Sequence, residues 1–240
     1  MKLYDEWIEK CHRLLEGWEG IRLPIGDQTW PDAGEHQWIL RHESAYELGK
    51  DTLPAVSGLG VTSSPRWFDG DEIWRYGPDL SDIPHDAPYA RLAFVRVAEN
   101  GPTEDQRTYA LVRNIEYTKY HVHPKGFMPR ISAANEREPV RVSRKALAEG
   151  LDFAGVGQLY VNRYHRDPNV TAVKLVFITL PDFPYPELER LVRHAQHITL
   201  ALDHIAKNVT MDCKSCHLKD VCEEVEGMRE LHFTSQSKAE

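Results

Sequence analysis

The run Ala172-Val173-Lys174-Leu175-Val176-Phe177-Ile178-Thr179-Leu180, closed by Pro181, narrows the fold more than any other stretch of the chain. Branched and apolar side chains at nearly every position suit a buried strand, and a proline stops it because it has no amide hydrogen for the ladder. A long helix is predicted next. Pro186 can open it, and Leu188, Leu191, Val192, Ala195, Ile198, Leu202 and Ile205 recur three and four apart on one face. The same spacing in Trp7, Ile8, Cys11, Leu14 and Leu15 predicts a short amphipathic helix over 4–16, with Cys11 on its buried side.

Between these ends the signals are shorter. From Gly17 to about Pro65, scattered Gly, Pro and Trp around segments such as Gln37-Trp38-Ile39-Leu40-Arg41 predict strands and long loops. Gly77 to Pro84 reads as a turn, Arg91 to Val97 as a buried strand and Gly101-Pro102 as a loop. Tyr109 to Tyr120 fits a short helix or a strand, and Val140 to Val142 an extended piece. Ser143 is placed to cap a helix over 144–149 that Gly150 ends, and a further helix is expected over 154–165, before Asp167-Pro168. Strands separated by helices make this an α/β or mixed α+β fold with a small cysteine-rich tail. The expected division is an α/β domain over 1–208, a cysteine-rich segment over 209–233 and a disordered tail over 234–240.

Three of the four cysteines fall within ten residues, as Cys213-x2-Cys216-x5-Cys222. Thiolates bind soft or borderline metals, and a two-residue gap lets two sulfurs converge on one ion or cluster. The fourth ligand must come from elsewhere. Cys11 would complete an all-thiolate set suited to [4Fe-4S] and tie the two ends of the chain together; His232, ten residues after Cys222, is the local alternative. Four cysteines match the thiolate count of a cubane with none left over, which favours Cys11. Three thiolates and an imidazole suit zinc at least as well, as a structural knuckle without reactivity.

With 240 residues the chain can bury a substantial core as one large domain or one and a half smaller ones. The net charge of -8 argues against a dominant binder of nucleic-acid backbone. No stretch approaches the roughly 20 apolar residues of a membrane span, and the charged start lacks the apolar run of a signal peptide, so a cytoplasmic protein with reduced thiols is expected. Against the acidic balance, Arg130, Arg137, Arg141, Arg144 and Lys145 form a local basic segment. Arg130, Arg137 and Arg141 can clamp an anion, or pair with Glu136 and Glu138 as a salt-bridged surface.

In order along the chain stand Tyr4-Asp5 before a helix, Arg22-Leu23-Pro24-Ile25-Gly26, Tyr76-Gly77-Pro78-Asp79-Leu80-Ser81-Asp82-Ile83-Pro84, Arg141-Val142-Ser143-Arg144-Lys145-Ala146-Leu147-Ala148-Glu149-Gly150, Gly157-Gln158-Leu159-Tyr160-Val161, the strand from Ala172 and the cysteine triad. This series, covering nearly the whole chain, resembles the middle domain of the acetyl-CoA synthase subunit of carbon monoxide dehydrogenase/acetyl-CoA synthase, running into the start of its A-cluster segment. The resemblance implies that Cys213, Cys216 and Cys222 begin the ligand set of a [4Fe-4S] cubane. The family's fourth cysteine falls where this chain has His232, and the gap between Cys216 and Cys222 is shorter than in the full-length enzymes. The family's outer nickel sits in a Cys-x-Cys pair that this sequence lacks. The resemblance also implies a CoA site of arginines and an aromatic ring, with Arg130, Arg137 and Arg141 in the matching stretch and Phe127 or Met128 at the aromatic position.

The expected function is therefore an acetyl-CoA-synthase-like iron–sulfur protein without the nickel site. It would act in electron transfer, acyl or CoA handling or assembly beside a protein partner that carries the chemistry; a cubane with an exchangeable fourth ligand can also leave one iron open as a Lewis acid. A scaffold module with a structural Cys3His zinc site is the alternative. Among the other residues, His121 and His123 would share one face of a strand, and His194, His197 and His204 one face of a helix, either as metal ligands or as solvated surface. All six tryptophans lie in the first third of the chain, where packing or a partner surface accounts for them.

Overall fold

The computed structural model describes residues 2–26, 30–99, 105–131 and 137–207, together with Val221 and Val225. In chain order the regular elements are α1 (Asp5–Leu15), β1 (Gly20–Leu23), β2 (Ser44–Leu48), β3 (Ala55–Thr62), β4 (Glu72–Tyr76), β5 (Tyr89–Val97), α2 (Asp105–Tyr117), β6 (Phe127–Pro129), β7 (Val140–Ser143), α3 (Arg144–Ala148), α4 (Phe153–Tyr164), β8 (Val170–Ile178) and α5 (Tyr185–Ala206). Short 3-10 turns cover Leu80–Asp82 and Thr118–His121. No helix among the described residues is long and apolar enough to cross a membrane.

Two sheets organise this mixed α/β fold. The larger has the order β1-β4-β8-β5-β3, and the smaller β2-β7-β6 is antiparallel throughout. The strand anticipated around Ala172 to Leu180 lies at the centre of the larger sheet, parallel to β4 and antiparallel to β5. Its place explains its composition, since a central strand is covered on both faces.

Alternation along the strands divides the two faces. Gly58, Gly60, Leu92 and Phe94 share the face covered by α1 and α5, and Gly60 permits the close approach: a Cβ there would lie 2.4 Å from the Trp7 ring. Arg91, Phe177 and Ile73 point to the opposite face, under α4, where Phe153 stacks on Phe177 with ring centroids 4.6 Å apart. The helix α1 buries Trp7, Ile8, Cys11 and Leu15, the spacing that announced it. Ser143 Oγ accepts from Ala146 N to cap α3, and Gly150 follows with φ +98°, the left-handed conformation that glycine adopts at low steric cost.

Two expectations change. The stretch over 109–120 is helical through Tyr117, then tightens into the 3-10 turn, so His121 and His123 do not share a strand face. The segment from Gln37 to Arg41 forms no strand; the Gln37 side chain instead ties it down, with Nε2 donating to Pro124 O at 3.0 Å and Oε1 accepting from Gly126 N at 2.6 Å. The loop at Gly101-Pro102 lies outside the described residues. Val221 is half-buried and helical, and Val225, four positions on, is also helical and is fully buried in the hydrophobic core.

His12 carries a pH dependence. Its ring sits 5.6 Å from Trp67 and 5.2 Å from Phe94, and burial, with the Lys174 charge nearby, pushes its pKa from 6.5 down to about 4. A depressed histidine pKa means the unfolded chain binds the proton first, so this contribution is full above pH 6.5 and is lost as pH falls toward 4. His12→Leu should flatten that part of the profile. Urea midpoints measured across the window for both proteins check it, and parallel curves would show that His12 contributes no such term.

Candidate anion-binding cleft

The smaller sheet places the basic segment. In β7, Val140 and Val142 point into the core while Arg141, between them, points out; its cross-strand neighbours are Glu47 in β2 and Met128 in β6. Arg141 Nε donates to Glu47 Oε1 at 3.0 Å and Nη1 to Ile39 O at 2.7 Å. Arg130 Nη2 donates to the other Glu47 oxygen. One carboxylate, 8% exposed, thus holds two guanidinium groups, one on each oxygen.

Arg137 has a different task. It donates to the carbonyls of Gly49 at 2.8 Å, Asp51 at 2.6 Å and Leu53 at 2.5 Å, clamping the turn from β2 to β3. That turn holds Gly49 at φ +67° and Asp51 at φ 51°, the latter a left-handed conformation that short polar side chains tolerate better than most. Lys50 from the same turn donates to Asp86 at 2.5 Å, and Asp86 also accepts the Glu47 amide at 2.7 Å.

These residues enclose a cleft of about 350 Å³ lined by Arg41, Glu47, Lys50, Asp51, Arg130, Arg137 and Arg141. Five cationic side chains face the carboxylates of Glu47 and Asp51, with Asp86 behind Lys50, so the cleft keeps a positive excess on a chain of net charge -8. Its volume is in the range of small-molecule sites. The three arginines singled out from sequence do converge here, but the neutralising acid is Glu47. Glu138 pairs instead with Arg91, and Glu136 lies outside the described residues. Arg41, Glu47 and Lys50 were not anticipated; a glutamate inside the otherwise apolar strand of Tyr46 and Leu48 was the available signal.

Arg144 turns away, donating to Ser44 O at 3.0 Å, and Lys145 is 84% exposed with its ammonium 4.0 Å from Glu149. Phe127 is wholly buried against Tyr89 and Phe153 and cannot receive a ligand ring. Met128 Sδ accepts from Ile39 N at 3.4 Å. The exposed aromatic in this region is Trp38, 81% accessible, beside the Ile39 carbonyl that Arg141 holds.

Cys11 lies inside the core with no exposed surface, and burial pushes its thiol pKa far up. Cys213, Cys216, Cys222 and His232 lie outside the described residues. Among the described residues, no three His, Cys, Asp or Glu side chains gather as a metal-holding group. His194 and His197 on α5 each have interactions within the protein, and His121 faces Glu35 at 3.4 Å. No family model matches the chain, and no curated protein matches it.

Proposed function

We propose that the chain is an acetyl-CoA-synthase-like iron–sulfur protein without a nickel site, which receives the phosphates of CoA or a similar acyl carrier in the arginine cleft and works beside a partner enzyme. The observation that carries the ligand class is the convergence of Arg130, Arg137 and Arg141 with Arg41 and Lys50 on one cleft. Arg137 shapes the rim through its carbonyl clamp, while Arg41, Arg130 and Arg141 meet the phosphate. The [4Fe-4S] cluster belongs to the cysteine triad and supplies electron transfer or an open iron to the partner reaction.

The place of Cys11 supports His232 as the fourth ligand. A thiolate at the centre of an apolar helix face would need the core to open around both a charge and a metal, whereas His232 is close in sequence to the triad. The same observation favours a second reading, a Cys3His zinc site that only fixes the tail. Protein purified without oxygen decides between them: brown protein with iron and acid-labile sulfide supports the cluster, and colourless protein with one zinc supports the knuckle.

The cleft is tested by calorimetry with CoA. Replacing Arg130 and Arg141 together by Gln should weaken binding, at about 1.5–3 kcal/mol for each charge-assisted hydrogen bond lost. Glu47→Gln should strengthen binding, because it removes the carboxylate that competes with phosphate for both arginines. Equal affinity in the arginine variant and the parent, or no heat in either, would remove the CoA assignment.

A further inference from the structure

A groove of about 600 Å³ opens where the chain that follows β1 passes the start of α4. Its volume is that of a small-molecule site, and it shares no lining residue with the arginine cleft. Pro24, Trp30 and Pro31 line it on one side, and Glu149, Asp152 and Gln158 supply polar groups from the end of α3 and from α4. Two glycines shape it. Gly150 leaves open space where a side chain would stand, and Gly155 lets Trp30 lie against α4, since a Cβ there would be 3.0 Å from Trp30 Cβ.

Two of the lining side chains are held in place by bonds within the protein. Trp30 Nε1 donates to Lys125 O at 2.6 Å, which fixes the ring. Gln158, 7% exposed, accepts Gly26 N on Oε1 at 3.2 Å and donates from Nε2 to Asn162 Oδ1 at 2.8 Å. Those bonds orient the amide, and each of its two polar atoms has capacity for one more, which no group among the described residues takes. A coplanar donor and acceptor match the N7 and 6-amino edge of adenine, and a fixed indole offers a face on which a base stacks. The carboxylates set the charge. Glu149 is paired with Lys125 at 2.8 Å, while Asp152 caps Gly155 N at 2.8 Å and has no cationic partner among the described residues. Carboxylates accept from ribose hydroxyls and repel a phosphate.

We propose that this groove binds an uncharged adenine nucleoside. The base stacks on Trp30 with its 6-amino edge on Gln158, and the ribose hydroxyls point to Asp152 and Glu149.

The test uses the full chain with adenosine as probe. Saturation-transfer NMR should show transfer from the protein to the base protons, and calorimetry supplies the affinity. Inosine has a carbonyl in place of the 6-amino group and cannot donate to Gln158 Oε1, so it should bind about tenfold more weakly. Adenosine 5′-monophosphate should also bind more weakly than adenosine. Trp30→Leu should cost about tenfold through lost stacking, and Gln158→Glu, which keeps the acceptor for Gly26 N but loses the N–H for N7, should cost a similar factor. Ala154→Met, which places a long side chain in the groove from the face of α4, should abolish transfer in protein whose circular dichroism shows it folded. Arg130→Gln/Arg141→Gln should leave adenosine binding unchanged, because the two sites share no residue. Absence of transfer in the parent, inosine or the monophosphate binding as tightly as adenosine, persistence of transfer in folded Ala154→Met, or its loss in the arginine variant would each overturn the proposal.

Discussion

Glu138→Leu, with Arg91 kept, is expected to destabilise the protein by about 3–5 kcal/mol, the usual consequence of leaving a charge buried without its partner. Both side chains are 2% exposed. Burial is the largest influence and works against the Arg91 charge, but the Glu138 carboxylate together with Tyr160, Tyr89 and Tyr164 outweighs it, holding the guanidinium pKa above its ordinary value. The surrounding tyrosines reflect the same dry setting: burial raises the pKa of Tyr89 and Tyr160, and that of Tyr164 to about 12. The pair also joins distant parts of the chain, since the Glu138 amide donates to Ala55 O at 3.0 Å just before β7 begins. Removing both charges in Arg91→Met/Glu138→Leu should recover most of the loss, because an apolar pair of similar volume avoids the desolvation cost. Urea unfolding at unchanged slope measures both variants. A single variant that unfolds at the parental midpoint would mean that water already reaches Arg91.

The second large effect concerns the metal proposed at the cysteine triad. Serine at Cys213, Cys216 or Cys222 is expected to remove the iron, or the zinc, essentially completely from the purified chain, since each takes away a thiolate from a minimal ligand set. Cys11→Ala should keep the metal and cost on the order of 1 kcal/mol in folding stability, through the small cavity left in the buried face of α1. His232→Ala should lose metal or shift the absorption spectrum. Metal and acid-labile sulfide per chain, measured beside the urea midpoint, separate these outcomes. Metal lost from Cys11→Ala at unchanged stability would return the fourth ligand to Cys11 and require the core to open around α1.

Period and punctuation made much of the fold legible in advance. The α1 and α5 faces, the β8 run, which spans Val170–Ile178 and stops ahead of Pro181, and the Ser143 cap with Gly150 behind it are local consequences of side-chain spacing, β-branching and backbone freedom, and they hold in the structure. The stretch from Tyr109 was ambiguous because its apolar positions suited either period, and packing against α5 decides for the helix. Sequence grouped Arg130, Arg137 and Arg141 by proximity alone, and of the two carboxylates it offered Glu138 pairs with Arg91 instead, since a neighbour in sequence need not be the neighbour in space.

What the sequence determined by itself was therefore the local elements, the acidic balance with its one basic segment, and the clustering of three cysteines near one end. Tertiary structure decided the rest. It set Glu47 opposite Arg141 through strand register, made Arg137 a clamp on a left-handed turn, buried Cys11 and joined Glu138 to Arg91 across the end of a sheet. Side-chain spacing acts over a few residues and can be read along the chain, whereas the partner of a charge depends on which distant strands pair, and pairing is fixed by burial of the whole sheet.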